Sequence, residues 1–114
     1  MRIEIFYIDG CPNHQQTVDR VKEALEEVGL AADVVETEVV DAESAIAKRF
    51  LGSPTVQING VDMEASARAS NCFGVMCRTY FEGRRRVGVP PLELVRQALV
   101  GAHGHRQADI TEAQ

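Results

Sequence analysis

Cys11 and His14 are the residues whose types and spacing most clearly suggest chemistry. They stand in the stretch YIDGCPNH, residues 7–14, where an apolar, strand-like run ends. Pro12 favours a helix start beside the cysteine, because its fixed backbone angle suits a first helical turn, where its missing N–H needs no partner. The partial positive charge of a helix N-terminus favours a thiolate. We therefore predict that Cys11 is a nucleophile.

His14 follows Cys11 by three residues, one helical turn further on. This spacing brings the imidazole close enough to hydrogen-bond to the sulfur. The same helix terminus disfavours an imidazolium, so we expect a mostly neutral histidine that tunes the thiol or shuttles a proton. The alternative is a histidine at the edge of the core, since position 14 falls on the apolar stripe of the helix.

Two further cysteines, Cys72 and Cys77, flank the residues FGVM. Their spacing is compatible with a small disulfide loop, with a metal site, or with packing alone, because cysteine is often buried as a small apolar residue. With Cys11 and His14 they would supply three sulfurs and one nitrogen, a set suited to zinc or softer ions. The C-x4-C spacing lies outside the tightest structural zinc patterns, so we assign no metal site.

The composition is that of one globular domain. The 114 residues are 45% hydrophobic and 25% charged, which allows a single core and argues against disorder. The net charge of −5 offers nothing to a polyanion, so we expect no nucleic-acid partner. We find no signal-peptide pattern and no apolar stretch of about 18 residues, so we expect no membrane association and a cytoplasmic location.

Periodicity and turn signals predict the elements that position the cysteines. In chain order they are strand one at residues 2–8, a helix ending at Gly29, strand two at 32–40, a helix from Asp41 to about Leu51, strand three with Val56 and Ile58 followed by an Asn59-Gly60 turn, strand four at 77–81, and a helix from Pro90 to Gly101. Residues 61–76 show no sustained period and are predicted as a long loop.

This β-α-β-α-β-β-α order predicts an α/β fold with a mixed four-stranded sheet flanked by helices. Residues 1–101 would form the domain. The polar, aperiodic residues 102–114 are predicted as a flexible tail.

Three stretches carry a resemblance to the thioredoxin superfamily: DGCPNH at the first strand-to-helix junction, GSPTVQING at strand three, and GVPPLELVRQALVG at the end. The resemblance covers about residues 2–100. More narrowly, DGCPN, GSPTV and CRTY resemble small bacterial thioredoxin-like proteins, some of which are labelled as related to alkylmercury lyase. The resemblance implies a thioredoxin-like fold, with a cis peptide bond before Pro54 and with Pro54 lying against Cys11.

The same resemblance implies thiol–disulfide exchange. Cys11 would be the nucleophile, His14 would assist it, and Cys77, placed near the redox motif, would resolve the mixed disulfide. The residues expected to form the substrate groove are Pro12, Ser53, Pro54 and Thr55. His14 stands where the superfamily has its second cysteine, so exchange within the motif itself is not available. The expected partner is a thiol or disulfide, and we predict no cofactor.

Two other functions stay open. Cys11 and Cys77 could bind a soft metal ion or an organomercurial, with or without cleavage of a carbon–metal bond. Such cleavage needs an acid, and Asp9 is the nearest carboxylate in sequence, although Asp9 also suits a turn. Alternatively, the chain could be an interaction module without redox chemistry, as the missing C-x-x-C motif permits.

Overall fold

The computed structural model describes the backbone of residues 1–112 and the side chains of residues 1–103. Its elements are β1 (Arg2–Tyr7), α1 (His14–Val28), β2 (Asp33–Glu38), α2 (Ala42–Ala47), β3 (Thr55–Ile58), β4 (Val61–Asp62), a 3-10 turn (Ala65–Ala67), β5 (Tyr80–Glu82), β6 (Arg85–Val87) and α3 (Leu92–Glu112). In this part of the chain, no helix has the length and apolar character needed to cross a membrane.

β1 and β3 are the inner strands of a mixed four-stranded sheet with the order β2-β1-β3-β4. β1 pairs with β2 in parallel and with β3 in antiparallel, so Ile5 lies between Glu36 and Val56. Two parallel neighbours need a crossover connection, and α1 provides it. The predicted α/β fold, a mixed four-stranded sheet flanked by helices, is confirmed.

The sheet buries apolar side chains on both faces. The face covered by α1 and α3 holds the larger cluster, formed by Ile3, Ile5, Val18, Val21, Ala24, Leu25, Val56, Ile58, Met63, Tyr80, Val95 and Leu99. The face covered by α2 holds Phe6, Val39, Ala45 and Phe50. Because β1 is packed on both faces and paired on both sides, it holds the turn that follows it, which carries Cys11.

Local signals set several element boundaries as predicted. Gly29 ends α1 in a left-handed conformation with φ of 70°. The carboxylate of Asp41 caps α2 by accepting a 2.7 Å hydrogen bond from the N–H of Ser44, and this bond lowers the pKa of Asp41. Asn59 and Gly60 both have positive φ, as a tight hairpin turn requires.

Two helix ends differ from the prediction. α2 stops at Ala47 rather than near Leu51, because the chain turns through Arg49, which has a φ of 55°. α3 runs past Gly101 to Glu112, because each glycine inside a helix costs only about 1 kcal/mol. The flexibility predicted for residues 102–114 stays a prediction, and residues 113 and 114 lie outside the described part of the chain.

The start of α1 also differs. The helix begins at His14, with Asn13 as its cap residue, three residues after Cys11 rather than within the predicted one or two. The carbonyl of Asn13 accepts the first intrahelical bond, a 3.1 Å bond from the N–H of Thr17. Cys11 therefore lies in the turn before the helix.

The fourth strand of the sheet is β4, not the predicted residues 77–81. The Asn59-Gly60 turn reverses the chain so that Val61 pairs with Ile58. β5 pairs instead with β6, in a separate hairpin whose tip carries exposed arginines. Residues 61–76 are thus not one long loop, since they begin with β4 and include the 3-10 turn.

Candidate functional site

Cys11 lies in the turn between β1 and α1. Its N–H donates to the carbonyl of Ile8 at 3.2 Å, and its carbonyl accepts from the N–H of His14 at 3.4 Å. Gly10 has a φ of 75°, which glycine adopts without strain and which lets the chain reverse before the cysteine. The thiol is free and partly exposed, so a reagent in solution can reach it.

Ser53 ties this turn to a distant part of the chain. The peptide bond between Ser53 and Pro54 is cis, as the resemblance implies. The hydroxyl of Ser53 accepts a 3.1 Å hydrogen bond from the N–H of Ile8. Ile8 in turn bonds to Cys11, so the cis peptide and the cysteine turn are separated by two hydrogen bonds.

The main chain of Ser53 holds the segment that carries Cys77. The N–H of Ser53 donates to the carbonyl of Met76 at 2.8 Å, and its carbonyl accepts from the N–H of Arg78 at 3.0 Å. These bonds flank Cys77, which pairs with Ser53 in an isolated parallel bridge. The main chain at Cys77, which is an exposed residue, is therefore fixed beside the cis peptide.

Arg78 anchors the same segment through a buried ion network. Its guanidinium donates to the carboxylate of Asp62 at 2.7 and 3.1 Å, to Glu64 at 3.0 Å and to the hydroxyl of Thr55 at 3.2 Å. The side chains of Arg78 and Asp62 are only 6% and 7% exposed. Burial alone would lower the pKa of Arg78, but the bonds to Asp62 and Glu64 raise it overall, so the guanidinium stays charged.

Tyr80 adds a further tether. Its ring lies 4.6 Å below the Arg78 guanidinium, and its hydroxyl donates to the carbonyl of Pro54. Gly52 permits the close approach, because a Cβ at this position would lie 2.9 Å from the Cβ of Arg78. The cis-peptide segment and the segment that carries Cys77 are thus in direct contact.

Tyr80→Phe is expected to destabilise the protein by about 1 kcal/mol, because the carbonyl of Pro54 loses its donor. Burial raises the pKa of Tyr80, so the folded protein opposes ionisation of this phenol. The stabilisation that the protonated Tyr80 gives to the folded state is complete below the pKa of an unfolded tyrosine, about 10, and is lost as the pH rises above that value. Urea unfolding at pH 8 and pH 11 should therefore show a smaller alkaline loss in the variant. Tyr7→Phe, which keeps Tyr80, should show the full loss, and equal losses in both variants would contradict this role.

The imidazole of His14 lies between Tyr7 and Glu36. It stacks on the Tyr7 ring with 3.7 Å between centroids and an angle of 9° between planes. Nε2 is buried and lies 2.7 Å from Oε1 of Glu36, but the N–H direction is not aligned for a hydrogen bond. The contact becomes an ion pair when the imidazole is protonated. The predicted role of His14 toward Cys11 stays a prediction, since the ring contacts described are with Tyr7 and Glu36.

Cys72 and Cys77 are placed differently. Both are exposed, but Cys72 is held only locally, by a 3.3 Å bond from its N–H to the Ser70 hydroxyl, whereas Cys77 is bracketed by bonds to Ser53. Among the described side chains, no three or more His, Cys, Asp or Glu residues are grouped so as to hold a metal ion. The four-ligand set considered from the sequence is therefore not brought together.

The predicted groove residues divide into two kinds. Pro12 is exposed, whereas Ser53, Pro54 and Thr55 are buried. The hydroxyl of Thr55 donates to the carbonyl of Gly52 and accepts from Arg78, so it holds the cis-peptide segment together. Contact of these residues with a substrate stays a prediction.

The sequence reasoning missed Glu36 and the partners of Arg78. Arg78 could have been noticed, because residues two apart in an extended segment share a face, and Tyr80 is the natural core residue of that segment. Glu36 likewise shares a strand face with Val34, which packs against the core. For both Arg78 and Glu36, the signal available in the sequence was a charged residue at a position that faces the core.

No curated protein and no solved structure matches the chain. A family model matches residues 11–99, a span that begins at Cys11 and contains the cis-peptide segment and Cys77. The chain therefore belongs to the family described as a domain of unknown function (DUF2703).

Proposed function

We propose that the protein is a cytoplasmic thioredoxin-like thiol oxidoreductase in which Cys11 is the nucleophile and Cys77 the resolving cysteine. The observation that carries the proposal is the double attachment of Ser53, whose hydroxyl bonds to Ile8 beside the Cys11 turn and whose main chain brackets Cys77. The Cys11 turn and Cys77, which are far apart in sequence, are thereby both attached to Ser53.

The pairing geometry supports a reaction between the two sulfurs. Residues paired directly across a bridge project their side chains to the same face. Cys77 therefore lies on the same face as the Ser53 hydroxyl, which points toward the end of β1. Both thiols are at least partly exposed, as exchange with an external partner requires.

In the proposed reaction the substrate disulfide is the oxidant and the two cysteines are the reductant. The thiolate of Cys11 attacks one sulfur of the substrate disulfide, the S–S bond breaks, and the leaving thiolate takes a proton. The thiolate of Cys77 then attacks Sγ of Cys11 and releases the second substrate thiol. The substrate is reduced by two electrons, and the Cys11–Cys77 disulfide is returned to two thiols by an external dithiol.

The test uses the Cys72→Ser variant, which keeps Cys11 and Cys77 as its two thiols. Oxidation with a small disulfide should give an intramolecular Cys11–Cys77 bond, seen by mass spectrometry as a loss of two hydrogen atoms and located by peptide mapping. Adding Cys77→Ser should stop the reaction at a mixed disulfide on Cys11. Adding Cys11→Ser instead should abolish reduction of the small disulfide.

Two results would overturn the proposal. One is an unchanged exchange rate in the variant that lacks Cys11. The other is a disulfide bond from Cys11 to Cys72 in the wild-type protein with none to Cys77, since Cys72 would then be the resolving cysteine.

Soft-metal binding by Cys11 and Cys77 is the second candidate, because the same junction would supply two thiolates to one ion. Mercuric chloride added to the reduced Cys72→Ser variant should then titrate two thiols per ion. Two thiols lost per ion, together with no disulfide exchange, would favour the binder. If both tests failed, the remaining alternative would be an interaction module without redox chemistry.

A further inference from the structure

We propose that Glu36 is a positioning residue that acts through His14: its carboxylate stabilises the imidazolium that forms when His14 takes the proton of Cys11. The inference rests on the proposed role of Cys11 as nucleophile. It adds a residue that no sequence motif indicated, and of the two roles expected for His14 it selects the proton shuttle, in which the neutral imidazole acts as a base.

The first observation is the contact between the His14 imidazole and the carboxylate of Glu36. Nε2 of His14 is buried without a hydrogen-bond partner among the described residues, and a carboxylate oxygen of Glu36 lies 2.7 Å away. A buried polar atom without a partner needs an explanation, because leaving it so is unfavourable. Protonation at Nδ1 would make the close approach of Nε2 to the carboxylate favourable by charge, since the cation would have Glu36 at its edge and the Tyr7 ring on its face.

The second observation is the backbone turn that joins Cys11 to His14. The N–H of His14 bonds to the carbonyl of Cys11, which closes a turn and keeps the two Cα atoms within about 7 Å. Because Nε2 faces Glu36, Nδ1 is the ring nitrogen left to accept a proton. The proton passes from Sγ of Cys11 to Nδ1, and the thiolate attacks the substrate disulfide. The imidazolium then returns the proton to the departing thiolate.

The helix itself opposes this charge. His14 is the first residue of α1, where the helix dipole disfavours a cation. Glu36, which lies on the neighbouring strand β2, offsets the unfavourable field of the helix dipole. Asp9 lies in the turn before α1, and Glu38 is opposite Tyr7 in the ladder, but the carboxylate described in contact with the imidazole is that of Glu36.

The experiment measures Cys11 alone, in a Cys72→Ser/Cys77→Ser background. Glu36→Gln keeps the size of the side chain and removes its charge. Its rate of alkylation by iodoacetamide at pH 7 should fall about two- to fivefold, as expected for loss of a half-exposed ion pair. Glu36→Asp should restore part of the rate. The ¹⁵N signals of the His14 imidazole should shift in Glu36→Gln, because the carboxylate beside Nε2 is lost, and recovery of the rate in Glu36→Asp is the result that a purely structural role would not give.

Glu38→Gln is the matched control, because it removes the same charge two residues along the same face of β2. It should leave both the alkylation rate and the His14 signals close to those of the parent. An unchanged rate in Glu36→Gln, or an equal fall in Glu38→Gln, would overturn the inference while leaving the Cys11–Cys77 disulfide test unaffected. Conversely, a slower Glu36→Gln variant with no disulfide to Cys77 would retain the Glu36 role and remove the oxidoreductase.

Discussion

Arg78→Met is expected to lower the free energy of unfolding by about 3–5 kcal/mol, because it leaves the carboxylates of Asp62 and Glu64 buried or half-buried without a cation. Such a loss is a large fraction of the stability of a domain of this size. Urea unfolding followed by circular dichroism measures it. The segment that carries Cys77 should also become more accessible, as shown by faster hydrogen exchange at the N–H groups of Arg78 and Ser53.

Arg86→Met is the matched control. Arg86 also lies over an aromatic ring, that of Phe81 at 5.1 Å, but it is exposed, and among the described side chains it pairs with no buried carboxylate. Its replacement should change stability by no more than about 0.5 kcal/mol. Adding Asp62→Asn to Arg78→Met should recover part of the loss, since the uncompensated charge is then removed. Equal effects of the two arginine replacements would show that the buried network does not stabilise the fold.

Gly52→Ala is expected to destabilise the protein by about 3 kcal/mol or more. Gly52 has a φ of 117°, which other residues adopt only with strain of about 1–3 kcal/mol. The added methyl would also meet the Cβ of Arg78 at 2.9 Å and the carbonyl of Cys77 at 3.1 Å, and overpacking of this kind typically adds about 1–3 kcal/mol. The same urea experiment measures the change.

Gly29→Ala separates the two causes. Gly29 also has positive φ, but an added Cβ would meet no atom within 4 Å. This variant should therefore lose only about 1 kcal/mol, from backbone strain. If Gly52→Ala were no more destabilising than Gly29→Ala, the contact between the cis-peptide segment and Arg78 would not be tight. Faster alkylation of Cys77 in Gly52→Ala alone would show that this contact holds the thiol in place.

The elements that could be predicted are those whose signals are local. β1 and β3 have clear alternation, Gly29 and Asp41 mark helix boundaries through their own backbone and side-chain bonding, and the Asn59-Gly60 turn needs no distant contact. The fold class followed from their order. Each of these signals works over a few residues, which is the range that sequence patterns report.

The elements that could not be predicted depend on distant partners. β4 is two residues long, too short for a periodic signal, and forms because the preceding turn folds it back on β3. Residues 77–81 have the composition of a sheet strand, yet Tyr80 reaches the core from a separate hairpin. Composition reports burial in such a segment, but it does not report which strand the segment pairs with.

The candidate site divides in the same way. Cys11 could be found because a cysteine before a helix start is a local pattern, and Cys77 because the resemblance indicated it. Glu36 reaches His14 through the parallel pairing of β1 with β2, and Arg78 reaches Asp62 across 16 residues of chain. Both contacts arise from the tertiary fold, so only the three-dimensional arrangement reveals them.

The attachment of residues 76–78 at Ser53 also limits what can bind there. An extended polypeptide that joins a sheet by strand addition needs unoccupied N–H and C=O groups on its host. At Ser53 both groups are already bonded to Met76 and Arg78, so the protein supplies its own added strand and excludes a foreign one. A disulfide partner of the proposed oxidoreductase would then be recognised by its sulfur atoms and side chains, which would favour compact thiol compounds over extended peptides.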